Sequence, residues 1–217
     1  MATKTTRGEA PTRWTLTPNH DLTTTTRTPT PRSSMFRVVM ALATASGVFL
    51  VYGIATDNSQ LIYYIPITVI FTGIIALIHR SVGFHMAALW ALAGAAIGNM
   101  AGGVLVVGDA ALYQLPVLGL IGYDKVFHAL AAGVVAWASL EALSSWGLRR
   151  TFALGFAAAM IALGGGALVE VVEYFGSILI EDASVGGYIN NAQDLIANTM
   201  GATIGTTLAY RFHRGKS

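Results

Sequence analysis

The stretch Tyr123-Asp124-Lys125-Val126-Phe127-His128 opens an apolar run that continues to Trp146 with Glu141 as its one further charge. Hydrocarbon solvates neither a carboxylate, an ammonium nor an imidazole, so such groups at the mouth of a membrane-length helix are functional candidates from the outset. Two later stretches repeat the pattern, Glu170-Val171-Val172-Glu173 and Gln193-Asp194-Leu195-Ile196-Ala197-Asn198. The reading turns on whether the fold brings the three to one depth.

Composition sets the frame. The chain is 54% hydrophobic and 11% charged, with mean hydropathy +0.60, against roughly 25% charged residues in soluble domains. An all-α, polytopic membrane helical bundle is expected. The absence of cysteine excludes disulfides, thiolate metal sites and cysteine nucleophiles. A formal excess of +2, placed between apolar spans, reads as membrane orientation and not as a nucleic-acid surface.

Residues 1–34 are Thr-rich, carry four of the six prolines and scatter Lys4, Arg7, Arg13, Arg27 and Arg32 without an apolar period. Such a segment buries too little surface to fold, so a disordered cytoplasmic tail is expected, with a targeting peptide as the competing reading and Met35 as an alternative start. Six spans follow, at about 35–56, 61–78, 82–107, 124–146, 151–180 and 191–210, each near the roughly 20 residues that cross a bilayer. Residues 110–122, with Tyr113 and Pro116, are apolar but too short and broken to span, and are expected to lie in the interface or to dip in as a re-entrant segment. Gly94, Gly98 and Gly102 in span three, and Gly201 and Gly205 in span six, have the spacing that lets helices approach closely.

Orientation follows from the basic residues. The amino-terminal tail, Arg80, Arg149-Arg150 and the terminal Arg211, Arg214 and Lys216 alternate with loops carrying Asp57, Asp109 and Glu181-Asp182. Both termini are therefore expected in the cytoplasm of a multi-pass protein of the plasma (inner) membrane. Asp124 and His128 then enter span four from outside, and Asp194 and Asn198 enter span six from outside. Glu170 lies about 29 Å along span five from Thr151, near the same outer boundary.

Spacing adds direction, because Asp124 with His128, Glu170 with Glu173, and Asp194 with Asn198 are three or four residues apart and share a helix face. The expected result is an outward-opening cavity lined by Asp124, Lys125, His128, Glu170, Glu173, Asp194 and Asn198, with Asn99 able to join. Taken singly, Asp124 with Lys125 resembles a snorkelling helix cap, and Asp194 with Asn198 an interhelical clasp. Their shared depth argues for one site. Glu141 falls toward the cytoplasmic end, within reach of Arg149 or the headgroups, and His85 is left outside.

Carboxylates with one imidazole and no sulfur suit a hard divalent cation, Mg²⁺, Ca²⁺ or Mn²⁺, better than zinc. The candidate metal ligands are Asp124, His128, Glu170, Glu173 and Asp194, and the candidate catalytic residues are Asp124, His128, Glu170 and Asp194. Lys125, Asn198 and Asn99 would support the substrate or the ligands. Without a cation, the acids and His128 would form a proton relay.

At these residues the chain resembles the VanZ-like family and the similar YjdF-type membrane proteins. Asp124-Lys125-Val126-Phe127-His128 is similar to the family's Asp-Lys-x-x-His opening, and Asp194 to Gly201 to its closing Asp-x-x-x-Asn-x-x-Gly helix. Glu170-Val171-Val172-Glu173-Tyr174 is closer to the YjdF-type acidic helix. The resemblance covers about residues 120–206 and implies the helical architecture and the site. The VanZ-type pattern places a Gln and an Arg after the acidic helix, whereas no Arg lies between Arg150 and Arg211 here.

The leading expectation is a protein that acts on or senses envelope lipids or lipid-linked molecules, with membrane lipids as partners, no nucleic acid, and homo-oligomers open. A metal-dependent hydrolase or transferase is one form of it. The alternatives are an ion- or proton-coupled transporter or channel, and a non-catalytic membrane scaffold.

Overall fold

A computed structural model describes residues 32–179 and 187–214. Most of the Thr-rich tail and the Glu181-Asp182 loop lie outside the described residues. Six long helices dominate: α1 (Arg32–Ala55), α2 (Leu61–Val82), α3 (Met86–Val104), α4 (Tyr123–Ser145), α5 (Phe152–Leu179) and α6 (Tyr188–Arg214). In apolar surroundings a backbone must satisfy its own hydrogen bonds, and helices do so within one segment.

Among the described residues, five segments are long and apolar enough to cross a membrane: Met35–Ala55, Leu61–Val82, Met86–Val104, Tyr123–Ser145 and Phe152–Ile178. The sixth helix has the length but not the composition. Asn190, Asn191, Gln193, Asp194, Asn198 and a row of threonines dilute its apolar content, and it packs most extensively on α4. By contrast α1 and α2 leave Val48, Val51, Ile54, Ile62, Val69 and Leu77 exposed. So wide an apolar belt suits lipid and not water.

Between α3 and α4 the chain forms two small antiparallel pairs. Strand β1 (Val106–Val107) pairs with β2 (Ala110–Ala111), a 3₁₀ turn spans Leu112–Gln114, and β3 (Pro116–Val117) pairs with β4 (Ile121–Gly122). Leu118 and Gly119 turn the second hairpin with positive φ, and Leu118 and Leu120 stand exposed at its tip.

Helices α4, α5 and α6 form one packing unit. Ala132 and Ala136 of α4, Ala162 of α5 and Ala202 of α6 make a core of small side chains, extended by Leu140, Leu154, Ala158 and Ala209. Small residues let helix backbones approach, which gains dispersion where lipid offers no hydrophobic drive. The closest approach is between α4 and α6. A Cβ on Gly201 would collide with the backbone of Ala129, and one on Gly205 with the backbone of Gly133.

The glycines of α3 do something different. Gly102 and Gly103 make room for the rings of Tyr113 and Tyr64, Gly98 faces Phe127, and Gly94 has nothing near it. Of the three glycines four residues apart, Gly98 and Gly102 meet aromatic rings where the sequence suggested a second helix backbone.

The other half of the bundle joins α1, α2 and α3 around Phe49, Tyr64, Met100 and Val104. Asn58, in the α1–α2 turn, donates from Nδ2 to the carbonyl of Val104 at 2.9 Å, satisfying a carbonyl that the end of α3 leaves open. Asn58→Ala removes that bond and is expected to cost about 1 kcal/mol, seen as a small drop in the thermal midpoint of the detergent-solubilised protein. An unchanged midpoint would mean that water replaces the bond.

Candidate functional site

The first turn of α4 points Asp124 and His128 the same way, as their i, i+4 spacing requires. Asp124 Oδ1 lies 3.3 Å from His128 Nε2. Lys125 turns toward α6 and places Nζ 2.7 Å from Asp124 Oδ2 and 2.7 Å from Asp194 Oδ1. It also donates to Asn190 Oδ1 at 2.5 Å. Asn190 Nδ2 in turn donates to Asp194 Oδ2 at 2.6 Å, while Asp194 Oδ1 is ion-paired with Lys125 and, among the described residues, accepts no hydrogen bond.

His128 is the hub between helices. Its Nε2 lies 4.0 Å from Asp194 Oδ1, and its Nδ1 is 3.4 Å from Asn198 Oδ1 and 3.6 Å from Glu170 Oε1 on α5. Four of its members are buried, His128 and Glu170 each 5% exposed, Asn198 2% and Asp194 0%, while Asp124 and Lys125 remain partly exposed at 19% and 17%. Among the described residues, neither oxygen of Glu170 has a hydrogen-bond partner. Gly166, one turn before Glu170, leaves the space that the Asn198 amide fills.

Asp124, Lys125, His128, Glu170, Asp194 and Asn198 thus come together from three helices. Glu173, on α5, is partly exposed and is not among the residues that converge within ligand distance. Asn99 is engaged elsewhere, accepting a hydrogen bond from Tyr113 Oη at 2.6 Å. Burial holds the Tyr113 phenol well above its ordinary value, which keeps it a donor. Tyr113, Tyr123 and Phe127 pack ring to ring, with centroids 5.7, 5.8 and 6.4 Å apart. Phe127 reaches the edge of His128, so this aromatic wall lies on the α3 side of the cluster.

Asn190 was not among the expected site residues. Its signal was available, since it precedes Asp194 by four residues and shares its helix face. At the opposite end of α4, Glu141 is 1% exposed and accepts from the backbone N–H of His85 at 2.7 Å, with the His85 ring also against it. The expectation that Glu141 reaches Arg149 or the headgroups is corrected. It holds the first turn of α3, where unsatisfied N–H groups and the helix dipole favour a carboxylate.

Chemically, the cluster is rich in acceptors. Three carboxylates face one ammonium, and His128 has acceptors beside both ring nitrogens although a neutral imidazole offers a single N–H. One ligand atom from each of Asp124, His128 and Asp194 lies within 4.8 Å of the others. Ligands on opposite sides of a hard divalent ion are about 4–5 Å apart, so these three are the residues of the cluster that could hold one.

The model of a family described as predicted membrane protein (DUF2238) matches residues 36–215, which takes in α2 to α6 and all of α1 but its first turn. No curated protein and no solved structure matches the chain.

Proposed function

The chain belongs to the DUF2238 family of predicted membrane proteins, and from that premise we propose a site that binds a divalent cation and acts on or senses an envelope lipid or lipid-linked molecule. The cation is Mg²⁺, Ca²⁺ or Mn²⁺, with Asp124, His128 and Asp194 as ligands and Glu170 beside them. All six helices cross the plasma membrane, α6 shielded by α4 and α5, with both termini cytoplasmic and the site facing outward. The alternation of basic and acidic loops supports this orientation. The similarity of Asp124–His128 and Asp194–Gly201 to the VanZ-like and YjdF-type patterns supports the same site.

One observation carries the reading: Asp124, His128 and Asp194 converge within ligand distance of one another, and two of the three are buried. Lys125 sets one positive charge against the carboxylates of Asp124, Glu170 and Asp194, and a divalent cation would supply the remainder. In this reading the bound cation would polarise an oxygen of a phosphate or acyl group. A position at the mouth of apolar helices gives a headgroup access and leaves its chains in lipid.

The test is Mn²⁺ binding to the full chain in nanodiscs, read by electron paramagnetic resonance. Wild type is expected to bind one ion, and Asp124→Asn and His128→Ala each to weaken binding at least tenfold. Wild type that binds no Mn²⁺, Mg²⁺ or Ca²⁺ would remove the metal from the proposal. Proton or ion flux in proteoliposomes, abolished by the same substitutions, would favour the transporter reading instead.

A further inference from the structure

Resting on that metal-site reading, we propose that Lys125 is a tethered occupant of the cation position, a resident counter-ion that an entering divalent ion must displace. The Lys125 ammonium is held by three oxygens at 2.5–2.7 Å, from Asp124, Asp194 and Asn190. Two of the three contacts are hydrogen bonds, to Asp124 and Asn190, and the third is an ion pair with Asp194. Two of those oxygens belong to residues that a metal would take as ligands. Asp194 Oδ1 is the shared atom: it is paired with Lys125 Nζ and is also the oxygen on the His128 Nε2 side.

An ammonium and a divalent ion cannot both occupy that oxygen, because their like charges would sit within a few ångströms in a medium that screens poorly. One of them leaves. Lys125 can leave without unfolding anything, since it sits in the first turn of α4, is 17% exposed and has a flexible stem that lets its charge reach the headgroup layer. Glu170 supplies an independent sign that the site is built for more positive charge than Lys125 brings. Its carboxylate is more than nine-tenths buried, aimed at His128, and without a hydrogen bond at either oxygen.

The consequence is a site that closes itself when metal is scarce and couples loading to the start of α6. When Lys125 leaves, Asn190 loses its donor, and the first turn of α6 is released from α4. Lys125 therefore sets the threshold of cation concentration at which the site fills.

The experiment compares wild type, Lys125→Met and Lys125→Gln in nanodiscs. Mn²⁺ affinity is read by titration, and amine labelling of wild-type Lys125 by mass spectrometry. Both variants are expected to bind Mn²⁺ at least tenfold more tightly than wild type, and labelling of Lys125 is expected to rise severalfold when Mn²⁺ is added. Folded variants that bind equally or more weakly than wild type would overturn the role of Lys125 while leaving the metal site standing. Absence of binding in wild type and in both variants would overturn the metal site and this role together. If neither variant folds, the labelling decides alone: protection of Lys125 unchanged by saturating Mn²⁺ would refute displacement.

Discussion

Asp194→Ala is expected to destabilise the protein by about 3–5 kcal/mol, the penalty for removing one partner of a buried ion pair. Asp194 is fully buried and joins Lys125 of α4 to Asn190 of its own helix. Its removal leaves an ammonium without one of its two counter-charges, an amide without its acceptor, and a cavity between α4 and α6. Thermal unfolding in detergent, followed by tryptophan fluorescence, would show a large fall in midpoint. Asp194→Asn keeps the volume and one acceptor and should lose less. A midpoint within a degree or two of wild type for the alanine variant would show that the pair is not buried in the membrane-embedded protein, and the candidate site would go with it.

The second large effect is expected at Gly201. No side chain fits there, because a Cβ would meet the backbone of Ala129 across the α4–α6 seam. Backbone cannot swing aside as a flexible side chain can, so Gly201→Val must push the two helices apart. Overpacking in a core typically costs 1–3 kcal/mol, and about 3 kcal/mol is expected here. The displacement would reach the polar cluster, since Asn198 lies one turn before Gly201 and Asp194 one turn before that. Loss of monodisperse protein on size exclusion, or a midpoint drop as large as that of Asp194→Ala, is the expected result. Gly94→Val is the control, since nothing lies near that position, and it should behave as wild type. Equal behaviour of the two variants would mean that α4 and α6 are not in backbone contact.

The membrane character of the chain and its long helices were legible because hydrophobic content, span length and the punctuation of charged loops are local properties. The composition of α6 was legible in the same way, yet its significance was not. Its polar residues read as the opening of an ordinary span, whereas they make it the least apolar helix and lay it along α4. The alternation of charge in the loops predicts an orientation, and that prediction rests on the loops alone.

The site was legible as three helix faces with matching spacings, Asp124 with His128, Glu170 with Glu173, and Asp194 with Asn198. Periodicity tells which residues of one helix point together. It says nothing about which face of a neighbouring helix they meet. That choice put Glu170 against His128, gave Asn99 to Tyr113, and added Asn190 as a bridge between Lys125 and Asp194. It also gave Glu141 to His85 instead of Arg149, across a contact between residues far apart in the chain.

What the sequence determined by itself was therefore the solvent each helix prefers and the direction in which its charged pairs point, because both depend on residues within a few turns of one another. The tertiary structure alone decided which acid meets which cation. That depends on how closely two backbones can approach, and the approach is set by Gly133, Gly201 and Gly205 meeting across the seam, a pairing of distant residues that no local pattern encodes.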